Sequence, residues 1–393
     1  MSLKDEMKPQ RNILHDYGMY IAFVVIVVFF SIATKGLFIS SRNIGNLVNA
    51  MSYIAVMAVG MTLVIVIRHI DLSVGFLAGT LGAVAAISLK YWQLPVGLTI
   101  PIVLALGIIA GLVTAFLVAR MNIPAFVATL AGWLFYHGLL QLVTRKTGTI
   151  IINDPIFNAF GNGFIPDIKG IMFLPDVHKV TLLLGLLGIL LFIRSEIINR
   201  RDTKAYNFGV IPMNMFIAKL VFFSIIIAGI TWVLAGYKGL SWSAVVVLLV
   251  VFLYYYITTK TVIGRHIFAV GGNPEAAQLN GISVKKITYL VFGSMGFLTA
   301  ISGILYASWL RSATTIAGTG MELDAIAAAF VGGVAVSGGV GKVTGSILGA
   351  LVMASLTNGM NLLGWDISIQ YIVRALVLAG AVIFDVATRK RRT

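Results

Sequence analysis

The stretch "YIAFVVIVVFF" (residues 20–30) holds no charge, no glycine and no proline, and two comparable runs follow it, "IVLALGIIAGLV" (102–113) and "LLLGLLGILLF" (182–192). A helix needs about 20 predominantly apolar residues to cross the bilayer hydrocarbon, and each run sits in a segment near that length. Hydrophobic residues make up 59% of the 393-residue chain and charged residues 11%. A soluble domain averages roughly 45–50% apolar and about 25% charged, so a water-soluble fold has no use for this much apolar surface. The chain reads as all-α, a polytopic transmembrane helical bundle forming a single domain over residues 1–393.

Working outward from these runs gives twelve candidate spans: 18–34, 48–67, 73–89, 96–119, 124–143, 180–193, 212–235, 241–258, 287–309, 323–339, 343–363 and 370–386. The sixth is short and the tenth ends in glycines. The opening "MSLKDEMKPQRNILHDYG" is mixed in charge and leads into a full-length span without a small-residue cleavage site, which reads as a retained first span rather than a secretory signal. With no cysteine in the chain, disulfides and thiolate metal sites are excluded.

The net charge of +15 is informative only loop by loop. With the amino terminus in the cytoplasm, the cytoplasmic loops carry about twice the Lys and Arg of the outer ones. The clusters "RSEIINRRDTK" (194–204), "GRHIFAVGGNPEAAQLNGISVKK" (264–286) and "RKRRT" (389–393) all fall inside, which places both termini in the cytoplasm. Aromatic residues are not interleaved with these charges, so nucleic acid is not a partner. The largest outer segment, 144–179, contains "TGTIIINDPIFNAFGNGFIPDIKG" and reads either as a surface for a partner or as a long linker.

Small residues recur at helix-packing spacing: Gly75 with Gly79, Gly107 with Gly111, and Gly341, Gly345 and Gly349 in series. In lipid they let backbones approach closely, which predicts a tight bundle. The glycine-rich run "VGGVAVSGGVGKVTG" (331–345) fails as a phosphate loop, because Val343 follows Gly341-Lys342 and Val336 stands where the first glycine should be. The five histidines show no paired ligand spacing, and the His69 and Asp71 pair in "RHIDLSVG" needs no chemistry to explain it. Intramembrane charge is scarce: Glu322 and Asp324 are expected at the outer start of a span, Asp366 in an outer loop and Asp385 beside the basic tail, leaving Lys219 and Arg374 as the buried candidates. Ion coupling is therefore disfavoured. A neutral polar route through Ser73, Thr129, Asn358 and Asn361 suits sugar hydroxyls, although interhelical hydrogen bonding is the commoner role for any one such residue.

One cytoplasmic stretch, "GRHIFAVGGNPEAAQLNGI" (264–282), is built unlike the rest. Asn273 can cap a helix, Pro274 suits its first position, Glu275 favours its positive end and Gly281 can end it in a left-handed turn. That predicts a helix of two turns, either a lever for a soluble partner or a capped, solvated turn. The stretch resembles the cytoplasmic loop of bacterial ribose- and xylose-type sugar ABC importer permeases. So do "IDLSVG" (70–75), "IPAFVATLAG" (123–132) and "GTGMELDAIAAAFVGGVAVSGGVGKVTGSILGALVMASLTNGMNLLG" (318–364), in the same order. Residues 144 to 240 make room for two more spans and a longer outer loop than the ribose type, which resembles the xylose or multiple-sugar branch.

The resemblance implies a type II importer permease of the bacterial inner membrane, with a periplasmic loop at 144–179 and a coupling loop at 259–286. Asn273, Pro274, Glu275, Ala276, Ala277 and Gly281 would belong to the ATPase-coupling helix. It also implies an ABC ATPase subunit that binds ATP and Mg, with no cofactor in this chain. A periplasmic or lipid-anchored sugar-binding protein and a second permease subunit, read as a homodimer, complete the assembly. The function expected on this basis is import of a monosaccharide such as a xylose-like pentose; an ion-coupled secondary sugar transporter is the alternative.

Overall fold

The computed structural model describes residues 8–168, 177–205 and 212–389; the tail from 390 and residues 169–176 of the long loop lie outside the described residues. The helices are α1 (Lys8–Ala33), α2 (Ser41–Val66), α3 (Val74–Lys90), α4 (Val96–Ala119), α5 (Ala125–Thr144), α6 (Pro155–Asn162), α7 (Lys179–Ala205) and α8 (Met213–Ala235). They continue with α9 (Trp242–Lys260), α10 (Val262–Gly272), α11 (Pro274–Leu279), α12 (Val284–Leu310), α13 (Met321–Val331), α14 (Val343–Leu362) and α15 (Ile367–Arg389). Two short strands, β1 (Thr149–Ile151) and β2 (Ser312–Thr314), pair antiparallel with Ile150 opposite Ala313.

Among the described residues, eight helices are long and apolar enough to cross a membrane: α2, α4, α5, α7, α8, α9, α12 and α14. Shorter apolar helices cover Met19–Ala33, Val74–Lys90 and Ile367–Ile383. The expected span at 323–339 is corrected. Helix α13 stops at Val331, and the chain turns through Gly333, Gly338 and Gly339, all with positive φ, before α14 begins. The expected span at 180–193 is also redrawn, because α7 continues to Ala205 and makes the basic segment 194–204 helical. On it, Glu196 accepts from Lys219 Nζ of α8 at 2.7 Å, so Lys219 is a paired charge.

Helix α12 is the hub, packed on α2, α3 and α4 with Val291, Phe292, Met295 and Leu298 buried on it. Its contact with α4 explains the Gly107 and Gly111 pattern. A Cβ on Gly111 would stand 2.1 Å from the Phe292 carbonyl oxygen, and one on Gly107 would stand 2.5 Å from that of Gly296. Only a residue without a side chain permits this approach, and in lipid the gain comes from van der Waals contact. Gly345 and Gly349 play the same part where α14 meets Gly332 and Ala328.

Two crossings are broken. Helix α2 ends against the α13–α14 turn and the end of α10: the Val66 carbonyl accepts from Gly339 N–H at 2.8 Å, and Arg68 Nε donates to the Gly271 carbonyl at 2.7 Å. Residues 67–73 then run without helix before α3 starts. From the opposite side, α12 ends at Leu310, the chain turns at Arg311 in the left-handed region, and residues 315–320 run without helix or strand to α13. The first turns of α3 and α13 meet: a Cβ on Gly75 would lie 2.0 Å from Glu322 Oε2 and 2.6 Å from the Gly318 carbonyl oxygen. Irregular backbone of this kind is tolerated in a membrane only where it is buried in protein or lines a cavity.

The long segment after α5 is folded rather than loose over its first half. Asp154 caps α6 by accepting from Phe157 N–H at 2.8 Å, Phe157 is fully buried, and Gly161 N–H donates to Ser308 Oγ at 2.6 Å on α12. Further on, Asp167 accepts from Val180 N–H at 3.1 Å at the start of α7. Desolvation works against its charge, but the N–H groups of Val180, Lys179 and Ile168 and the neighbouring His178 outweigh it and hold the carboxyl down at about 2.

Candidate functional site: the capped loop and the broken crossings

The sequence places a short capped helix at 274–280, and α11 forms there. Asn273 Oδ1 accepts from Ala276 N–H at 3.0 Å, Pro274 occupies the first turn without needing a donor, and Glu275 lies at the positive end. At the other end, Gly281 has φ +79°, Ile282 N–H donates to the Ala277 carbonyl at 3.0 Å, and Gly281 N–H donates to that of Gln278 at 3.0 Å. This pair of bonds around a left-handed glycine is the Schellman closure, so both ends of a six-residue helix are satisfied. Only Ala277 faces the core, while Leu279 is 90% exposed.

What precedes α11 was not legible as a separate element. Helix α10 is capped by Thr261, whose Oγ1 accepts from Gly264 N–H at 3.2 Å, and it buries Ile267 and Val270. Arg68 fastens its end: Nε donates to Gly271 O and Nη2 to Gly272 O. No sequence signal links positions 68 and 271, which meet only through the fold. Between α11 and the starts of α5 and α12 lies a cavity of about 510 Å³, lined among others by His69, Asn122, Glu275, Gln278 and Lys285.

The second polar region is where α3 and α13 begin. Ser73 and Thr129 come together there: a Cβ on Gly132, one turn from Thr129, would stand 3.0 Å from Ser73 Cβ, and Thr129 Oγ1 donates to Ile70 O at 3.3 Å. Asp71 Oδ1 accepts from Ser73 N–H at 2.9 Å and from Ser73 Oγ at 2.6 Å. Asn358 and Asn361 lie elsewhere, on α14. Asn358 exchanges two hydrogen bonds with Asn43 at 2.8 and 3.1 Å, and Asn361 Oδ1 accepts from Gln370 Nε2 at 2.8 Å. The four residues thus form two groups, each with internal polar partners.

Glu322 and Asp324 do not sit at the rim of a span, which corrects the sequence reading. Glu322 is 6% exposed, and its Oε1 accepts at 3.0 Å from the indole of Trp133, which stands near the middle of α5. Its Oε2 is buried without a hydrogen-bond partner. Asp324 pairs with Arg374 of α15 at 3.3 Å. The displacement follows from the broken crossing: the chain has already re-entered the bundle before α13 starts, so the acidic first turn lies inside. The amino end of a helix favours such charge. Among the described residues, no three His, Asp or Glu side chains come together as a metal site.

Helices that begin inside a bundle, with their irregular approaches buried in protein, define a polytopic membrane transport protein. The chain belongs to the family described as branched-chain amino acid transport system / permease component, whose pattern matches residues 43–382. It is 37% identical over 378 residues to the xylose transport system permease protein XylH of Haemophilus influenzae, covering 96% of this chain and 98% of that one. The Escherichia coli xylose transport system permease protein XylH is 35% identical, covering 96% and 93%. The ribose import permease protein RbsC of Haemophilus influenzae is 33% identical over 369 residues, covering 93% and 91%. No solved structure matches.

Proposed function

We infer that this chain is the transmembrane permease subunit of an ATP-driven ABC importer, moving a xylose-like pentose or related monosaccharide from a periplasmic or lipid-anchored binding protein into the cytoplasm. The observation that carries this reading is α11: a doubly capped helix with Leu279 exposed, bracketed by Arg265, Lys285 and Lys286, and joined through Arg68 to the end of α2. Near-full-length relatives named for xylose and ribose transport support the substrate class. An ABC ATPase holding ATP and Mg grips α11 in this reading, and two permease copies form the path. The excess of basic residues on the α11 side supports a cytoplasmic position for that side and for both termini, with the chain in the bacterial inner membrane.

Proteoliposomes containing this chain, its ATPase and its binding protein test the reading. Xylose uptake is expected to require ATP, and the purified chain alone is expected to hydrolyse none. Glu275→Lys reverses a favourable charge at the amino end of α11, a change of about 0.6–2 kcal/mol on a helix too short to stand alone. It should abolish coupled uptake while leaving membrane insertion intact.

The unpaired Glu322 Oε2, beside two broken helices, is the observation that favours a second reading, an ion-coupled secondary sugar transporter. Uptake that follows a proton gradient with ATP and the ATPase absent would establish it. Membership of the permease family weighs for the ATP-driven reading.

A further inference from the structure

Where α12 ends, α13 begins and α2 is half-way along its length, three aromatic rings and one ion pair gather. Tyr53, at the middle of α2, stands 5.0 Å from the Tyr306 ring and 5.9 Å from that of Trp309, and the latter two are 6.3 Å apart. Asp324, paired with Arg374 of α15 at 3.3 Å, lies on α13, which packs against α2. The group is held from behind, since Ser302 Oγ of α12 donates to the Tyr53 carbonyl at 2.7 Å and Asn162 of α6 donates to the Trp309 carbonyl at 2.9 Å.

The exposure of this group is what calls for explanation. All three rings are half-buried, and the side chains of Asp324 and Arg374 are 14% and 23% exposed. Arg374 Nε is buried with no hydrogen-bond partner, so the pair does not satisfy its own guanidinium. A charged pair part-open to lipid is costly, and intramembrane ionisable residues face a bundle interior or a water-filled cavity. Lipid is therefore excluded from the open side of this group, which faces water or the interior of the two-copy assembly proposed above. Its chemistry is also selective. Aromatic faces accept the apolar C–H face of a pyranose, while a carboxylate and a guanidinium offer several acceptors and donors to neighbouring hydroxyls. Tyr306 and Trp309 stand one turn apart on α12, and the fold brings Tyr53 from α2, Asp324 from α13 and Arg374 from α15 to the same end of the bundle.

We propose that Tyr53, Tyr306 and Trp309, together with the Asp324–Arg374 pair, form a face of the translocation path that contacts the monosaccharide in transit. This rests on the sugar-importer reading above, and the test separates the two. The natural chain has no cysteine, so single cysteines report cleanly. Trp309→Cys and Tyr53→Cys are placed in the reconstituted complex with its ATPase and binding protein. Reaction with a water-soluble methanethiosulfonate should run at least roughly tenfold faster than at Phe222→Cys, because the thiolate that reacts exists only where water reaches it. Phe222 is 61% exposed on α8 and serves as the lipid-facing reference. Xylose-loaded binding protein with ATP should slow the reaction at both positions.

Labelling no faster than at Phe222→Cys overturns the wet face whatever the substrate is. Fast labelling that xylose leaves unchanged, in a complex whose cysteine-free parent takes up xylose, overturns the sugar contact. If the parent takes up no xylose, the importer reading fails on that measurement, while the labelling still decides whether the face is wet. Should the cysteine variants not fold, Tyr53→Phe and Trp309→Tyr give the second arm: transport KM should rise roughly threefold to tenfold. An unchanged KM in both overturns the proposal.

Discussion

The Nε of Arg68 donates to the carbonyl oxygen of Gly271 at 2.7 Å, and the same guanidinium reaches Gly272. The residue that leaves α2 thus holds the end of α10, and Asn273, the next residue, caps α11. Hydrogen bonds rather than a loose loop thus join the start of α11 to the end of α2. Helix α2 in turn carries Tyr53 at its middle, so the capped loop and the proposed sugar-contacting face share one rigid element.

Removing that fastening should separate ATP hydrolysis from transport. Hydrogen bonds from a charged donor are worth about 1.5–3 kcal/mol, so Arg68→Ala is expected to let α10 drift from α2. Sugar moved per ATP hydrolysed should fall roughly tenfold while ATP turnover by the complex persists. Arg68→Lys should recover only part of the loss, because an ammonium cannot reach two carbonyls as a planar fork does. Unchanged stoichiometry in Arg68→Ala would show that the two helices move independently.

The cap on α11 can be tested more finely. Asn273→Ala removes the acceptor for Ala276 N–H and should cost the helix about 1 kcal/mol, whereas Asn273→Asp keeps an acceptor and should be nearly neutral. Hydrogen exchange at Ala276 and Ala277 should speed up in the alanine variant alone. Stimulation of the ATPase by loaded binding protein should fall in the same order. Equal behaviour of the two variants would detach the cap from the coupling role.

The bounds of α11 were legible because its signals are local: Asn-Pro-Glu at one end and Gly281 at the other act within a few residues. The long spans were legible for the same reason, since apolar length alone specifies them. The broken crossings were not. Residues 67–73 and 311–320 carry no periodicity of their own, and their place inside the bundle is set by contacts such as Gly75 against Glu322, which join positions far apart in the chain. Reading 323–339 as a full span followed from hydropathy, which cannot register that the chain has already re-entered before α13. The acidic pair Glu322 and Asp324 was therefore visible in the sequence but placed at the wrong level. Small-residue spacing predicted close packing correctly, yet could not say that Gly107 and Gly111 meet α12 while Gly75 and Gly79 meet an irregular segment.

That packing gives a direct stability test. Gly111→Val would drive a side chain into the Phe292 carbonyl, where a Cβ already stands 2.1 Å from the oxygen, and the hub helix must shift to admit it. Overpacking of this kind costs about 1–3 kcal/mol and should lower the thermal midpoint in detergent and the yield of folded protein. Gly138→Ala is the contrast: its Cβ meets nothing within 4 Å, and replacing a helical glycine gains up to about 1 kcal/mol. Comparable losses in both would mean that α4 and α12 do not pack as described.

The amide pair between Asn43 and Asn358 separates a structural role from a path role. Each side chain donates to the other, and Asn43 Nδ2 also donates to the Phe38 carbonyl at 2.8 Å, so the start of α2 is tied to α14 and to the α1–α2 turn. Interhelical hydrogen bonds in membranes are worth roughly 0.6–2 kcal/mol. A double-mutant cycle of Asn43→Ala and Asn358→Ala, read as unfolding free energy in mixed micelles, should return a coupling in that range, with the double variant less destabilised than the sum of the singles. Transport KM for xylose should stay within about twofold of wild type in Asn358→Ala, because its amide is spent on a protein partner. A rise in KM without loss of stability would instead place Asn358 on the route of the sugar and leave its bond to Asn43 as a resting arrangement broken during transport.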